Sequence, residues 1–437
     1  MSARSEYDKW RASPALSDAE RRELLDIADD AAEIESRFFA PLAFGTAGLR
    51  GVMALGTNRI NVHVIRHATQ AFAEVILEKL GGGEVAVCRD CRINSLLFAQ
   101  EAASVLAGNG IRVRIFDDIR PTPELSFAIR KYGCAAGINI TASHNTKEYN
   151  GYKVYLSDGA QLPPREARWV AERMEGTDIF ASIKRVEYGD AVARGIITVM
   201  GEETDEAFLA EALGEAAEPQ AVAAVADRLR VVYTPFHGAG YKLVPEALRR
   251  LGVRHLYPVP EQMTPDGTFP TVESPNPELP EGFALAGRLA REVGADIIIG
   301  TDPDSDRIAV LVRDGAKGGA DNPDYVHLSG NKTGVLLIDY VLASKKRAGV
   351  LPENPVVLKT IVTTDMARRA ARLGGARCFD TFTGFKFMAE RKGELESSGE
   401  GNVVFSYEES YGYMAGDYVR DKDAVTAAVL ITAMTAH

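Results

Sequence analysis

Short apolar runs alternate with longer amphipathic stretches along most of the chain. The apolar runs 84–90 and 111–118 flank a helical pattern at 96–110 that ends in glycine. Runs of this length predict buried strands, and the stretches between them predict helices. Strands that alternate with helices are typical of βαβ units, so the pattern predicts an α/β fold.

The same alternation returns twice further along the chain. The predicted strands of these two later sets lie at 229–235, 255–259 and 295–302, and then at 355–363, 378–382 and 402–410. A length of 437 residues also predicts about three domains. We therefore predict three consecutive α/β domains with mixed, mostly parallel sheets.

Domain divisions are predicted where the pattern changes. Ser17 and Glu20 form a capping-box sequence ahead of a helical run, which indicates a helical N-terminal extension. The acidic, alanine-rich segment 201–228 predicts a linker, and segment 314–324 predicts a hairpin turn or a boundary loop. The predicted divisions are the extension at 1–40, domain 1 at 41–205, domain 2 at 206–325 and domain 3 at 326–437.

Composition and charge narrow the class of protein. Hydrophobic residues make up 46% of the chain and charged residues 25%, which is typical of a folded globular protein. The net charge of −11 leads us to expect neither nucleic acid nor a membrane surface as a partner. No apolar run reaches the ~18 residues of a spanning helix, and the N-terminus lacks a secretory pattern, so we expect a cytoplasmic protein.

Three polar loops follow predicted strands, where open α/β sheets bind ligands. The first is Thr141-Ala142-Ser143-His144-Asn145, in which the Ser143 hydroxyl could be a nucleophile. The alternative is that these residues only form a turn. A Ser-His-Asp hydrolase is disfavoured, because Ser143 and His144 are adjacent and no GxSxG elbow is present.

The second loop, residues 302–307, carries carboxylates at alternate positions. Asp302, Asp304 and Asp306 can converge on one hard cation, and their repulsion between two buried runs disfavours a simple solvated turn. An EF-hand is excluded, because Arg307 replaces its glycine and Arg313 its last glutamate. We predict Mg²⁺ rather than Ca²⁺, since three carboxylates leave positions open for a phosphate oxygen and water.

The third loop, residues 407–412, is followed by a charged segment at 420–423. Its carboxylates and hydroxyl suit sugar hydroxyl groups, and Arg420 and Lys422 suit phosphate. Alone, this loop is equally consistent with an exposed polar turn. The three loops together predict phosphoryl transfer on a sugar phosphate, with catalysis by positioning and charge neutralisation.

The chain resembles the α-D-phosphohexomutase superfamily and, within it, the bacterial phosphoglucomutases related to phosphopentomutases. The matching stretches are collinear over nearly the whole chain: FGTAGLRG (44–51), RPTPELSFAIR (120–130), TASHNTKEYNGYKVY (141–155), GTDPDSDR (300–307), VVLKTIVTT (356–364), DTFTGFKF (380–387), YEESYGY (407–413) and RDKDA (420–424).

The resemblance implies a role for each matching residue. It implies a phosphoserine at Ser143, Mg²⁺ ligands at Asp302, Asp304 and Asp306 with an oxygen from Ser143, and a general acid/base at Lys153. Other catalytic positions that it implies are Arg50, His144 and Lys422. The positions implied to bind substrate are Thr383, Gly384, Glu408, Ser410 and Arg307. The charged segment 420–423 predicts Arg420 as a further substrate-binding residue.

The resemblance implies a phosphoglucomutase that interconverts glucose 1-phosphate and glucose 6-phosphate through enzyme-bound glucose 1,6-bisphosphate. The alternatives within this class are a phosphomannomutase and a phosphopentomutase. Family members carry a fourth C-terminal domain with a phosphate-gripping loop, and we expect this domain to be absent from this chain. A sugar-phosphate-binding fragment without turnover is therefore a further alternative, as is a serine-nucleophile metallophosphatase. Oligomeric state is not predicted.

Overall fold

The N-terminal residues form a small helical unit that packs against Leu55, His63 and Phe180 of the first domain. The computed structural model describes residues 2–45, 48–318 and 324–437. The predicted capping box is confirmed, because the Ser17 side chain accepts from Glu20 N–H and the Glu20 carboxylate accepts from Ser17 N–H. Tyr7, Trp10 and Phe38 form the buried face of the unit. Its helices are α1 (Ala3–Ala12), α2 (Asp18–Asp26) and α3 (Ala31–Phe38).

The first sheet is six-stranded and mostly parallel. Its strands are β1 (Leu49–Val52), β2 (Val85–Arg89), β3 (Val113–Phe116), β4 (Ala136–Ile140), β5 (Tyr149–Leu156) and β6 (Ile197–Met200). They lie in the order β1-β5-β4-β2-β3-β6, and β5 alone runs antiparallel to its two neighbours. The accompanying helices are α4 (Val62–Lys79), α5 (Ser95–Gly108), α6 (Thr122–Tyr132), α7 (Pro164–Gly176) and α8 (Tyr188–Ala193).

The second sheet is mixed and has five strands in the described residues. They are β7 (Arg230–Thr234), β8 (His255–Pro258), β9 (Ile297–Thr301), β10 (Ile308–Asp314) and β11 (Asp324–His327), in the order β11-β10-β9-β7-β8. The predicted turn at 314–324 falls partly outside the described residues, and the strands on either side of it pair antiparallel. The helices are α9 (Glu202–Gly214), α10 (Gln220–Val225), α11 (Gly240–Leu251), α12 (Ala284–Val293) and α13 (Gly315–Gly318).

The linker predicted at 201–228 is wrong, because this segment folds into α9 and α10. Phe208, Leu209 and Val222 are buried in the core that the second and third sheets share. Glutamates and alanines dominate the composition of the segment, but its few large apolar side chains lie on the face that packs against α11. The average composition of the segment therefore predicted a linker where the structure has α9, a helix that contributes to the core.

The third sheet has four strands, three of them parallel. They are β12 (Pro355–Thr360), β13 (Arg377–Thr381), β14 (Asn402–Glu408) and β15 (Gly412–Ala415), in the order β13-β12-β14-β15. The helices are α14 (Gly330–Arg347), α15 (Met366–Leu373), α16 (Phe385–Ser397) and α17 (Ala424–Ala436). Three consecutive α/β domains with mixed, mostly parallel sheets are thus confirmed.

Helix α17 joins the second and third domains. Residues 424–433 are all buried, and the helix packs against α9, α10, α11 and α14. A helix that is apolar on every side needs neighbours on every side, which this position between two sheets provides. Within the described part of the chain, no helix combines the length and apolarity needed to cross a membrane.

Candidate active site

Two of the predicted polar loops meet the charged segment 420–423 between the first and second domains. Residues 141–148 join β4 to β5, the loop 302–307 joins β9 to β10, and residues 420–423 lead into α17. Backbone hydrogen bonds connect the loop 302–307 to two helix starts, because Ala424 N–H of α17 donates to Ser305 O at 3.2 Å and Thr122 N–H of α6 donates to Asp304 O at 2.8 Å. Residues far apart in the sequence therefore share one site.

Ser143 lies in a constrained turn directly after a buried strand. Its φ of 52° is in the left-handed region, which residues other than glycine seldom adopt and which is often found at functional sites. The Thr141 hydroxyl accepts from Ser143 N–H at 2.8 Å, and Ser143 Oγ donates to Asp302 Oδ2 at 2.9 Å. The predicted nucleophile thus lies against the predicted metal loop.

The three aspartates of that loop are buried together. Oxygen atoms from Asp302, Asp304 and Asp306 all lie within 4.8 Å of one another. Burial raises the pKa of Asp302 well above its usual range, and the charges of Asp304 and Asp306 raise it further. Such mutual repulsion is relieved when a cation binds between the carboxylates.

The oxygen atoms left without partners fit a divalent cation. Asp304 Oδ1 and Asp306 Oδ1 are buried and have no hydrogen-bond partner among the residues that the structure describes. A buried carboxylate oxygen without a partner is costly unless a donor or a metal ion satisfies it. Oxygen-only ligands of this kind suit Mg²⁺ or Ca²⁺ better than softer metals.

Two buried lysines balance part of this negative charge. Lys153 Nζ donates to Asp304 Oδ2 at 2.8 Å and lies 3.5 Å from Asp306 Oδ2. Lys422 Nζ lies 3.2 Å from Asp306 Oδ2 and 3.2 Å from Asp421 Oδ1. Burial alone would lower the pKa of each lysine, but the adjacent carboxylates outweigh it and raise both values.

His144, Arg50 and Arg307 lie around the serine. His144 Nδ1 is 3.2 Å from Ser143 Oγ, and Arg50 donates to the Asn145 side chain at 3.0 Å. Burial, followed by the charges of Arg307 and Arg50, lowers the pKa of His144 to about 3, so its imidazole is neutral. Arg307 donates to the Glu278 carboxylate at 2.8 Å.

The predicted sugar-binding residues lie on the third domain. Glu408, at the end of β14, accepts from Gly384 N–H at 2.7 Å and is buried. Thr383 is exposed and Ser410 is half-buried. Burial raises the pKa of Glu408, although Lys422 opposes that effect. The Glu408 carboxylate therefore binds the start of α16 and lies in the electrostatic field of Lys422.

The guanidinium of Arg420 lies in a structural network. It donates to Asp417 O at 2.7 Å and to Val419 O at 3.1 Å, and it pairs with the Glu396 and Asp417 carboxylates. Lys422, two residues later, faces the aspartates instead. Among the described residues, the guanidinium of Arg420 contacts only groups of domain 3, and neither Ser143 nor the metal loop is among them.

Two residues that support the site, Thr122 and Asp421, were assigned no role from the sequence. Thr122 Oγ1 donates to Asp304 Oδ2 at 2.9 Å, and Asn139 Nδ2 donates to Thr122 Oγ1 at 2.8 Å. Buried Asp421 accepts from Tyr155 Oη at 3.1 Å and from Gln161 Nε2 at 2.8 Å. Their only sequence signal was their position within the matching stretches RPTPEL and RDKDA.

Comparison with known proteins identifies the family. Models of the phosphoglucomutase/phosphomannomutase α/β/α domains I, II and III match residues 41–179, 209–315 and 329–437. A phosphoglucomutase from Staphylococcus saprophyticus is 35% identical over 402 residues, which is 91% of this chain and 70% of that protein.

Solved structures share the fold. A phosphoglucomutase/phosphomannomutase family protein from Burkholderia thailandensis superposes with a TM-score of 0.70 at 20% identity, over 91% of this chain and 77% of that one. Aspergillus fumigatus N-acetylphosphoglucosamine mutase, solved with GlcNAc-6P and magnesium, gives 0.52 at 14% identity, over 98% and 81%. The chain therefore belongs to the phosphoglucomutase/phosphomannomutase family of the α-D-phosphohexomutase superfamily, a family of isomerases that transfer phosphoryl groups.

Proposed function

We propose that this chain interconverts glucose 1-phosphate and glucose 6-phosphate through a phosphoserine at Ser143 and bound glucose 1,6-bisphosphate. One observation carries the proposal: Ser143 Oγ lies 2.9 Å from Asp302 Oδ2 within a buried group of three carboxylates. A phosphoryl group on that hydroxyl would lie beside the cation that the carboxylates could hold, and this cation would neutralise its negative charge. The curated phosphoglucomutase relatives support glucose as the sugar.

The proposed transfer conserves protons. A sugar hydroxyl oxygen forms a bond to phosphorus while the bond from phosphorus to Ser143 Oγ breaks. The hydroxyl loses one proton and Ser143 regains one, so only a relay is required. We assign that relay to Lys153, whose charged ammonium lies beside Asp304. The ammonium donates a proton to Ser143 Oγ as its bond to phosphorus breaks, and the neutral amine then accepts the proton of the sugar hydroxyl. The second transfer runs the same exchange in reverse from the other phosphate of the bisphosphate.

Mg²⁺ is the proposed metal, held by Asp302, Asp304, Asp306 and an oxygen of phosphorylated Ser143. When bound, it would neutralise charge on the phosphoryl oxygens. The unpartnered Asp304 Oδ1 and Asp306 Oδ1 support this assignment. The magnesium complex of the Aspergillus mutase gives independent support, although that protein shares only the fold with this chain.

The sugar is proposed to lie between the aspartates and the third domain. Glu408 and Ser410 would accept and donate hydrogen bonds to its hydroxyl groups, with Thr383 and Gly384 beside them. Arg50, His144, Arg307 and Lys422 would surround the transferring phosphate. Arg420 supports this surface through its own ion pairs rather than by contact with phosphate.

The test is the mass of the peptide that contains Ser143, before and after incubation with glucose 1,6-bisphosphate and Mg²⁺. We expect the wild-type chain to gain one phosphoryl group there. Ser143→Ala should gain none, and Ser344→Ala, which removes a remote buried hydroxyl on α14, should behave as wild type. An unmodified Ser143 in the wild-type chain would contradict the proposal.

A chase distinguishes the sugars and the reaction class. The phosphorylated chain is mixed with glucose 1-phosphate, mannose 1-phosphate or ribose 1-phosphate, and loss of the phosphoryl group from Ser143 is followed. We expect glucose 1-phosphate to remove it fastest and to become the bisphosphate. Faster transfer to one of the other sugars would reassign the substrate, and release of inorganic phosphate would indicate a phosphatase.

A further inference from the structure

Arg92 lies behind the Ser143 loop with its whole side chain out of contact with solvent. It follows β2, and the Ser143 loop follows β4, which is the neighbour of β2 in the first sheet. A guanidinium is seldom buried this deeply unless its donors are satisfied. The partners of Arg92 therefore indicate what it does.

Four of its five N–H donors are directed at backbone carbonyls of the loop. Nη2 donates to Ser143 O at 2.6 Å and Asn145 O at 2.5 Å, and Nη1 donates to Thr146 O and Tyr149 O, both at 2.9 Å. The remaining donor, Nε, lies 3.3 Å from Asp90 Oδ2. One side chain thus holds four carbonyls between residues 143 and 149.

Two further groups lie against the guanidinium. Asp90 pairs with its Nε, is fully buried, and is fixed in turn because it accepts from the backbone N–H of Arg92 at 2.9 Å and from Ser95 Oγ at 3.1 Å. The ring of Phe269, from the second domain, lies with its centroid 5.2 Å from Arg92 Cζ. Arg92 has little freedom to change its direction, so the carbonyls that it binds have little freedom either.

The loop needs such a support because its reactive residue is strained. Ser143 has a left-handed φ of 52°, which its own side chain does not favour. Each trans peptide holds its C=O opposite the N–H of the next residue, so binding the Ser143 carbonyl also sets the orientation of the peptide that follows it. The direction of Ser143 Oγ toward Asp302 depends on this backbone.

We propose that Arg92 is a positioning residue for phosphoryl transfer at Ser143, a role that rests on the proposed function. It acts through the backbone of residues 143–149, and four of its five donors are committed to carbonyls there. Lysine would retain the charge but has a single ammonium with three donors, which cannot span four carbonyls in the same plane. Arg92→Lys therefore separates charge from geometry.

The experiment measures the rate of Ser143 phosphorylation by glucose 1,6-bisphosphate in single-turnover conditions, as a function of donor concentration. For Arg92→Lys we expect the maximal rate to fall about 10²-fold, the order that a displaced reacting group costs. The half-saturating donor concentration should change less than about threefold, because the proposed sugar contacts lie on the third domain. The matched control is Arg89→Lys, which alters the arginine at the end of β2, whose side chain pairs with Asp118.

Each outcome decides the proposal. A folded Arg92→Lys chain with a wild-type maximal rate would overturn it. So would an equal loss of maximal rate in Arg89→Lys, or a change in the half-saturating donor concentration alone. Arg92→Gln should be slower than Arg92→Lys, and if it does not fold, Arg92→Lys decides. Loss of the fold in both variants would make Arg92 a core residue and overturn the positioning role. An unphosphorylated wild-type chain would instead refute the proposed function itself.

Discussion

Lys153 Nζ donates a hydrogen bond of 2.8 Å to Asp304 Oδ2, and both groups are buried. This contact joins β5 of the first domain to the loop after β9 of the second. Burial would lower the pKa of Lys153, but Asp304 and then Asp306 outweigh it and hold the ammonium charged. The proton proposed for the relay is therefore in place at the junction of the two domains.

Replacement of Lys153 by Gln should slow phosphorylation of Ser143 by about 10²- to 10⁴-fold, the range typical of a lost acid/base group. The measurement is the single-turnover rate from glucose 1,6-bisphosphate. Lys147→Gln, which alters an exposed lysine near the same serine, should leave the rate within about twofold. A Lys153→Gln chain as fast as Lys147→Gln would remove Lys153 from the mechanism.

Asp304→Asn should raise the Mg²⁺ concentration needed for half-maximal phosphorylation by at least about tenfold. The substitution removes a negative oxygen from a group whose remaining oxygen atoms lie within 4.8 Å of one another. The measurement is the phosphorylation rate across a Mg²⁺ titration, with Asp339→Asn on the exposed face of α14 as the control. An unchanged Mg²⁺ requirement would argue against metal binding by this loop.

Glu408→Gln should raise the half-saturating concentration of the sugar phosphate by about tenfold, because hydrogen bonds to a charged group are the stronger kind. Glutamine can still accept the hydrogen bond from Gly384 N–H, so the start of α16 should keep its place. The chase rate from phosphorylated Ser143 is measured against glucose 1-phosphate concentration. Glu409→Gln, whose carboxylate instead accepts from Thr360 Oγ1, is the control, and equal effects in both variants would contradict a specific sugar contact.

The sequence indicated Ser143 and the three aspartates as candidates because each stands in a polar loop directly after an apolar run. The structure brings these four residues together. Thr122 and Arg92 were not assigned roles, because their partners, Asp304 and the carbonyls of the Ser143 loop, are 182 and about 50 positions away in the chain. Local patterns carry no information about such contacts.

Two basic residues that are close in sequence, Arg420 and Lys422, direct their side chains to different places. Arg420 and Lys422 belong to one charged segment, so both were predicted to face phosphate. Lys422 reaches Asp306, whereas Arg420 pairs with Glu396 and Asp417. The backbone between them turns into α17, and only the fold determines which side chain faces the cleft.

Acid should weaken the first domain through His67, which is buried beside Thr177 with Nε2 2.7 Å from its hydroxyl. Burial lowers the pKa of His67, so the folded state resists a proton that the unfolded chain accepts below about pH 6.5. Stability is therefore full above that pH and falls as the pH decreases through it, by up to about 1.4 kcal/mol per pH unit for one group.

We expect the loss of urea resistance between pH 7.5 and 5.5 to be smaller in His67→Gln than in the wild type. The control is His255→Gln, since the His255 ring hydrogen-bonds at the surface to Asp227 O. An equal acid sensitivity in His67→Gln and the wild type would show that the burial of His67 does not contribute to the loss of stability at low pH.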